Sequence, residues 1–206
     1  MSTEVLSITR DPAIYARLKV PGTKAALGLD LGTNCGVALR FLTTSANGTV
    51  SLGQLYLGQW RLDAGPHDAS PIRFVRLRAF LREIEPAIVF YEDVKFVGAN
   101  AGVAGLSLSA IVARMATSAE LIGAFRETVT TWCHEANVPS QGFGIGEIKR
   151  HATGKGNAGK PAMITACNEK FGTNFSITDY EAEGLDNIAD AAHALDLGLS
   201  LYGTGL

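Results

Sequence analysis

Between residues 25 and 62 the apolar positions fall into three short runs separated by glycine and small polar residues. Ala25, Ala26, Leu27, Leu29 and Leu31 make the first, Gly32-Thr33-Asn34 interrupts, and apolar character resumes over 36–41. Two apolar runs joined by so short a polar link signal a β-hairpin. Gly48 bounds a third extended stretch at 54–62, after which Gly65-Pro66 and Ser70-Pro71 break the chain. The pattern therefore predicts a three-stranded meander. Over 72–85 the period changes: Phe74, Leu77, Leu81 and Ile84 recur every three or four residues among Arg73, Arg76, Arg78 and Arg82. This spacing predicts an amphipathic helix ended by Pro86, with the arginines on its solvated face. Ala87-Ile88-Val89-Phe90-Tyr91 is then continuously apolar, as in a strand buried on both faces, and it delivers Glu92-Asp93 at its end.

A Gly/Ala/Ser-rich helix is predicted over 106–137, stopped by Pro139, with a short strand at 142–145. Beyond that, 161–171 reads as a helix, 172–183 as a loop and 185–201 as a final helix. The order of elements predicts a mixed α/β fold with one central sheet. A chain of 206 residues with 47% hydrophobic content fits one domain with an ample core. No apolar stretch reaches the ~20 residues of a spanning helix. Residues 1–24 lack the basic start and apolar run of a signal peptide. A cytoplasmic protein with no membrane partner is expected. Cys35, Cys133 and Cys167 are odd in number, scattered and without zinc spacing, so they read as reduced packing residues.

Charge changes this picture locally rather than globally. The formal net charge is −2, which argues against indiscriminate coating of nucleic acid. Yet residues 148–160 hold Lys149, Arg150, His151, Lys155 and Lys160 among glycines, with no acid between Glu147 and Glu169. Such a segment suits phosphate: Gly154 and Gly156 permit close backbone approach, and the cations neutralise charge.

The acids supply the complementary chemistry. Asp30 sits in an otherwise apolar strand, where an ionised group is costly unless compensated. Glu92 and Asp93 end a second strand, and alternation lets only one of them share a side with Asp30. In the last helix Asp186 and Asp190 are four residues apart and share a face. Each has a plainer reading: Asp30 as a turn residue, Glu92 as a surface acid beside Lys95, Asp186 as an N-cap. Asp190, inside the helix, resists such an account. Gathered together, the acids would repel strongly unless divalent cations lay between them. Oxygen-only ligands favour magnesium, or manganese, over zinc, and a metal pair suits in-line hydrolysis of a phosphodiester.

Four blocks in this order, Leu27-Gly28-Leu29-Asp30-Leu31-Gly32-Thr33, Tyr91-Glu92-Asp93-Val94, residues 148–160 and Asp186-Asn187-Ile188-Ala189-Asp190-Ala191, resemble those of RuvC-type Holliday junction resolvases, more narrowly their phage and prophage branch. The resemblance spans about 25–201, and Ala-Thr-Gly-Lys-Gly-Asn-Ala is its most specific string. It implies an RNase H-like fold with a five-stranded mixed β-sheet flanked by α-helices. It also implies a homodimer that resolves four-way DNA junctions with two Mg2+ ions, in a bacterial or phage-infected cell. Asp30, Glu92, Asp186 and Asp190 would be the metal ligands. Lys149 and Lys160 would match the family's basic residues near the scissile phosphate, with Lys160 in the catalytic set, and both would contact DNA together with Arg150, Lys155, Gly154 and Gly156. Phe96, shortly after Glu92, stands near the place of a junction-wedging aromatic. Family members place a ligand three residues before the last acid, where this chain has Asn187; a second register pairs Asp190 with His193, which stays a reserve ligand. Residues 24–206 would form the nuclease domain. Residues 1–23 are an extension for which a disordered tail and a dimer-embracing arm both stay open.

Other classes share parts of the pattern. Gly28-Leu29-Asp30-Leu31-Gly32-Thr33 is also similar to the first phosphate loop of actin-like ATPases, but no second lobe or loop copy is present. A DNA-binding module without catalysis would not need four acids. A nuclease preferring flaps, forks or other branches would need all of the same residues.

Overall fold

The structure is a computed structural model that describes residues 4–5, 12–45, 48–69, 71–94 and 108–202. Three antiparallel strands, β2 (Thr23–Asp30), β3 (Asn34–Thr44) and β4 (Val50–Arg61), form the meander anticipated from the apolar runs. β5 (Ile88–Glu92) lies parallel to β2, and β6 (Ser140–Phe143) parallel to β5. These five make a mixed sheet in the order β4-β3-β2-β5-β6, with the two-residue strand β1 (Glu4–Val5) pairing parallel to β4 at its edge.

Strand alternation divides the core into two layers. Leu27, Leu29, Val37, Leu39, Val89 and Tyr91 point to one side. There they pack on α1 (Pro12–Leu18), α2 (Ile72–Ile84) and α3 (Leu108–Glu135) through Ile14, Leu77, Leu81, Phe125 and Val129. Ala26, Ala38, Leu57, Ile88 and Phe90 point to the other. That layer is closed by α4 (Ile145–Thr153), α5 (Lys160–Phe171) and α7 (Leu185–Tyr202). α6 (Tyr180–Glu183) is a single turn inside the stretch expected to be a loop.

Two local outcomes differ from expectation. β6 begins and ends two residues before the expected 142–145 strand; only Phe143 in it is buried, so it carries no alternating signal. The first nine residues of the basic region and its lead-in, Ile145–Thr153, form a helix. Glu147 caps it by accepting a hydrogen bond from Gly144 N–H at 2.8 Å, and Gly154, with φ +77°, ends it.

Candidate active site

The parallel register of β2 and β5 pairs Leu29 with Tyr91, so the next residues, Asp30 and Glu92, emerge side by side at the carboxyl ends of adjacent strands. Leu29 and Tyr91 belong to the α3 side of the sheet, so Asp30 and Glu92 face α7. Asp93 takes the opposite direction and accepts a hydrogen bond from Arg126 Nη1 on α3 at 3.1 Å. Alternation thus selects Glu92 over Asp93 as the partner of Asp30.

α7 brings the other two acids because glycines let it lie unusually close to the sheet. A Cβ on Gly28 would stand 2.5 Å from the Ala191 carbonyl oxygen and 2.6 Å from Leu195 Cβ. On Gly36 it would stand 1.9 Å from the Asn187 carbonyl oxygen, and on Gly198 it would strike the Phe90 ring at 2.4 Å. None of the three has a positive φ; they are glycines for proximity. In the sequence Gly28 stands out only as part of a motif, and the signal of Gly36 is no more than an apolar strand opening on a residue without a side chain.

Two lysines border the acids. Lys160, the first residue of α5, donates from Nζ to Asp186 Oδ2 at 2.5 Å and approaches Glu181 at 3.8 Å. The Asp186 hydrogen bond raises the Lys160 pKa. Lys149 on α4 lies close enough to Glu92 and Asp190 to oppose the rise that burial imposes on both.

Burial and mutual repulsion nevertheless dominate the carboxylates. Burial first, then Glu92, Asp190 and Asp186, hold Asp30 well above the usual carboxylate range, against a smaller opposing pull from Lys160. Burial and Asp190 push Glu92 up to about 7. Asp190 is raised to about 6, mainly by burial. Ionising all four acids beside only two ammonium groups would leave negative charge uncompensated, which bound divalent cations would relieve. The donor set, all carboxylate oxygen from three elements, fits a hard cation of the magnesium type. Among the described residues no three His, Cys, Asp or Glu side chains are drawn together tightly enough to clasp an ion as they stand. Asp186 instead engages the Lys160 ammonium.

The remaining candidates lie as follows. Asn187 donates from Nδ2 to the Asn34 carbonyl at 2.9 Å, which directs it to the start of β3. His193 is fully buried against α5, with Nε2 3.2 Å from the Met163 carbonyl oxygen. The structure therefore does not bring the reserve ligand His193 to the carboxylates. Burial depresses its pKa to about 4, and the charged neighbours that act on it are Asp196, Lys170 and His151. Arg150 and Lys155 are exposed at the end of α4 and in the turn after it. The left-handed backbone of Gly154 is already required to close α4, and a Cβ on Gly156 would press within 3.1 Å of Arg150 Nη2. Phe96 lies outside the described residues.

No protein-family model and no curated protein sequence matches the chain. Among solved structures it is similar to Thermus thermophilus RuvC, at 17% identity and a TM-score of 0.53, over 86% of this chain and 96% of that one. It is also similar to T. thermophilus RuvC in complex with Holliday junction substrate, at 18% identity and a TM-score of 0.55, over 88% and 95% of the two chains. The likeness is one of fold: the chain has the RuvC-type, RNase H-like architecture that the order of its motifs implies.

Proposed function

We propose that the chain is a divalent-metal-dependent endonuclease that cuts branched DNA, with the four-way junction as its substrate and a homodimer as its working form. The observation that carries this reading is the convergence of Asp30, Glu92, Asp186 and Asp190 from β2, β5 and α7, bordered by Lys149 and Lys160. The fold supports the substrate class, since a solved protein of the same architecture is bound to a Holliday junction.

In this reading the four acids hold Mg2+, or Mn2+, as a pair of ions. When bound, the cations supply Lewis-acid chemistry, activating water and neutralising the phosphate. The protein's own residues do the rest. Anchoring of Asp30 and Glu92 at the ends of two hydrogen-bonded strands fixes their positions before DNA arrives, so little reorganisation is needed. The Lys160 and Lys149 ammonium groups can stabilise charge that develops on the phosphate oxygens. Arg150, Lys155 and the turn at Gly154 and Gly156, together with Phe96, would contact DNA; phosphate contacts position the duplex without specifying sequence.

The test offers a four-way junction, a flap, a fork and linear duplex side by side, with and without Mg2+. Metal-dependent nicks placed symmetrically across the junction are expected. Asp30→Asn should cut at least ~10²-fold more slowly while binding the junction as wild type does. Equal cutting of linear duplex would overturn the resolvase reading, a preference for flap or fork would reassign the substrate within the same chemistry, and ATP hydrolysis without DNA cleavage would overturn both.

A further inference from the structure

Beside the carboxylates, on the α3 side of the β5 end, lies a cavity of about 220 Å3. Glu92 forms one wall, Ala119, Ile122 and Gly123 of α3 form another, and the ion pair of Asp93 with Arg126 stands at its rim. Gly123 has no evident duty in the fold. Among the described residues a Cβ there would meet nothing within 4 Å, its φ is not positive, and it lies inside a 28-residue helix. A glycine inside a helix is less stable there than alanine would be, so its presence calls for a reason. Gly28, Gly36 and Gly198 make room for α7; what Gly123 keeps open is the cavity.

The chemistry of the walls narrows the occupant. The Asp93–Arg126 ion pair leaves the cavity no net positive charge to hold a phosphate, so the neutral part of a nucleotide is favoured. The volume is below the ~300 Å3 at which pockets begin to hold drug-sized ligands, leaving room for one ring system. Small and aliphatic side chains accept a π-face, while Arg126 offers donors and Asp93 acceptors to a base edge. Glu92 borders this cavity while its side chain turns to the carboxylate site on the other side of β5, so the occupant belongs to a nucleotide adjoining the phosphate acted on there.

We infer that this cavity is a base pocket: it receives one unstacked nucleobase of the cleaved DNA strand, next to the scissile phosphate, with Arg126 and Asp93 reading its edge. The inference rests on the nuclease reading of the carboxylates and adds to it a source of preference for where the strand is cut.

The experiment places a single 2-aminopurine at successive positions around the exchange point of a four-way junction and binds each to the full chain in EDTA. One position should brighten, because its base leaves the stack. Gly123→Leu should fill the pocket and abolish the brightening, keep a melting temperature at or above wild type, and slow Mg2+-dependent cleavage about tenfold or more. Gly123→Ala, the smaller change, should fall between and guards against misfolding of the leucine variant. Brightening that survives in Gly123→Leu, or its absence at every position of a bound junction, overturns the pocket. Cleavage indifferent to Gly123→Leu in rate and site does the same and leaves the nuclease reading intact. Brightening without cleavage in Mg2+ or Mn2+ overturns the nuclease reading and, with it, the pocket's assignment to a cleaved strand.

Discussion

Helical spacing alone leaves the fourth carboxylate position undecided, because Asp186, Asn187 and His193 all lie within about 60° of Asp190 around the helix axis. What separates them is the rotation of α7 against the sheet, and no residue of the helix reveals that rotation by itself. Gly36 sets it by admitting the Asn187 backbone, and Asn34 fixes the Asn187 side chain with its carbonyl. Asp186 is left pointing at Lys160 and the other acids. Asp186→Asn should therefore lower metal-dependent turnover by on the order of 10²-fold, and Asn187→Ala should leave it nearly unchanged. Single-turnover cleavage of one labelled junction across a Mg2+ titration measures both. A loss confined to Asn187→Ala would return the ligand to the position three residues before Asp190. The acids themselves were legible one by one, since an ionisable group in an apolar strand or helix needs a reason. The hydrogen bond from Lys160 to Asp186 was not, because it joins positions 26 residues apart through a contact that only the docking of α5 on α7 creates.

Among the elements, the meander, α2, β5 and α7 were readable because each has a strong period or a continuous apolar run. β6 and α6 were not, being four residues long with little buried surface. α4 was hidden by its glycines and cations, although it buries Ile148 and is capped at both ends. The contact between α5 and α7 has a measurable signature in His193. Its Nε2–H donates to the Met163 carbonyl, while Nδ1 is buried with no partner among the described residues, so a second proton would have nowhere to go. The folded pKa is thus lowered from 6.5 to about 4. Between those values the unfolded chain binds the proton and the folded one does not, so stability falls as pH falls from 6.5 toward 4. Asp196, Lys170 and His151 are the charged groups that act on it, with effects smaller than that of burial. His193→Gln, which keeps a donor but does not titrate, should remove this component. In urea unfolding of both proteins at several pH values, the stability advantage of wild type over His193→Gln should shrink by about 3 kcal/mol between pH 7 and pH 4. A difference flat with pH would mean that the imidazole finds a second partner when protonated. The acids of the active site titrate in both proteins and cancel from the comparison.

At the scale of the whole molecule, the proposed nuclease would have one carboxylate cluster per chain and make one cut, whereas resolving a four-way junction takes two. A two-fold symmetric dimer supplies the second site in fixed relation to the first, and the spacing of the two sites would select branched over linear DNA. The formal charge of −2 gives no general attraction for phosphate, so in this reading the local cations Lys149, Arg150, Lys155 and Lys160 would hold the DNA. Mixed dimers test the proposal directly. Asp30→Asn subunits should bind DNA and pair with wild type, so a large excess of them would place most wild-type subunits beside an inactive partner. Junctions would then be nicked on one strand only, and the ratio of paired cuts to single nicks, read on a circular substrate, should fall in proportion to the wild-type fraction. Two monomers acting in turn would behave differently: each wild-type subunit would still cut either strand, and enough time would convert single nicks into paired ones at any mixing ratio. Paired cutting that persists at long times under excess Asp30→Asn would thus sink the dimer while leaving the carboxylate chemistry of each chain untouched.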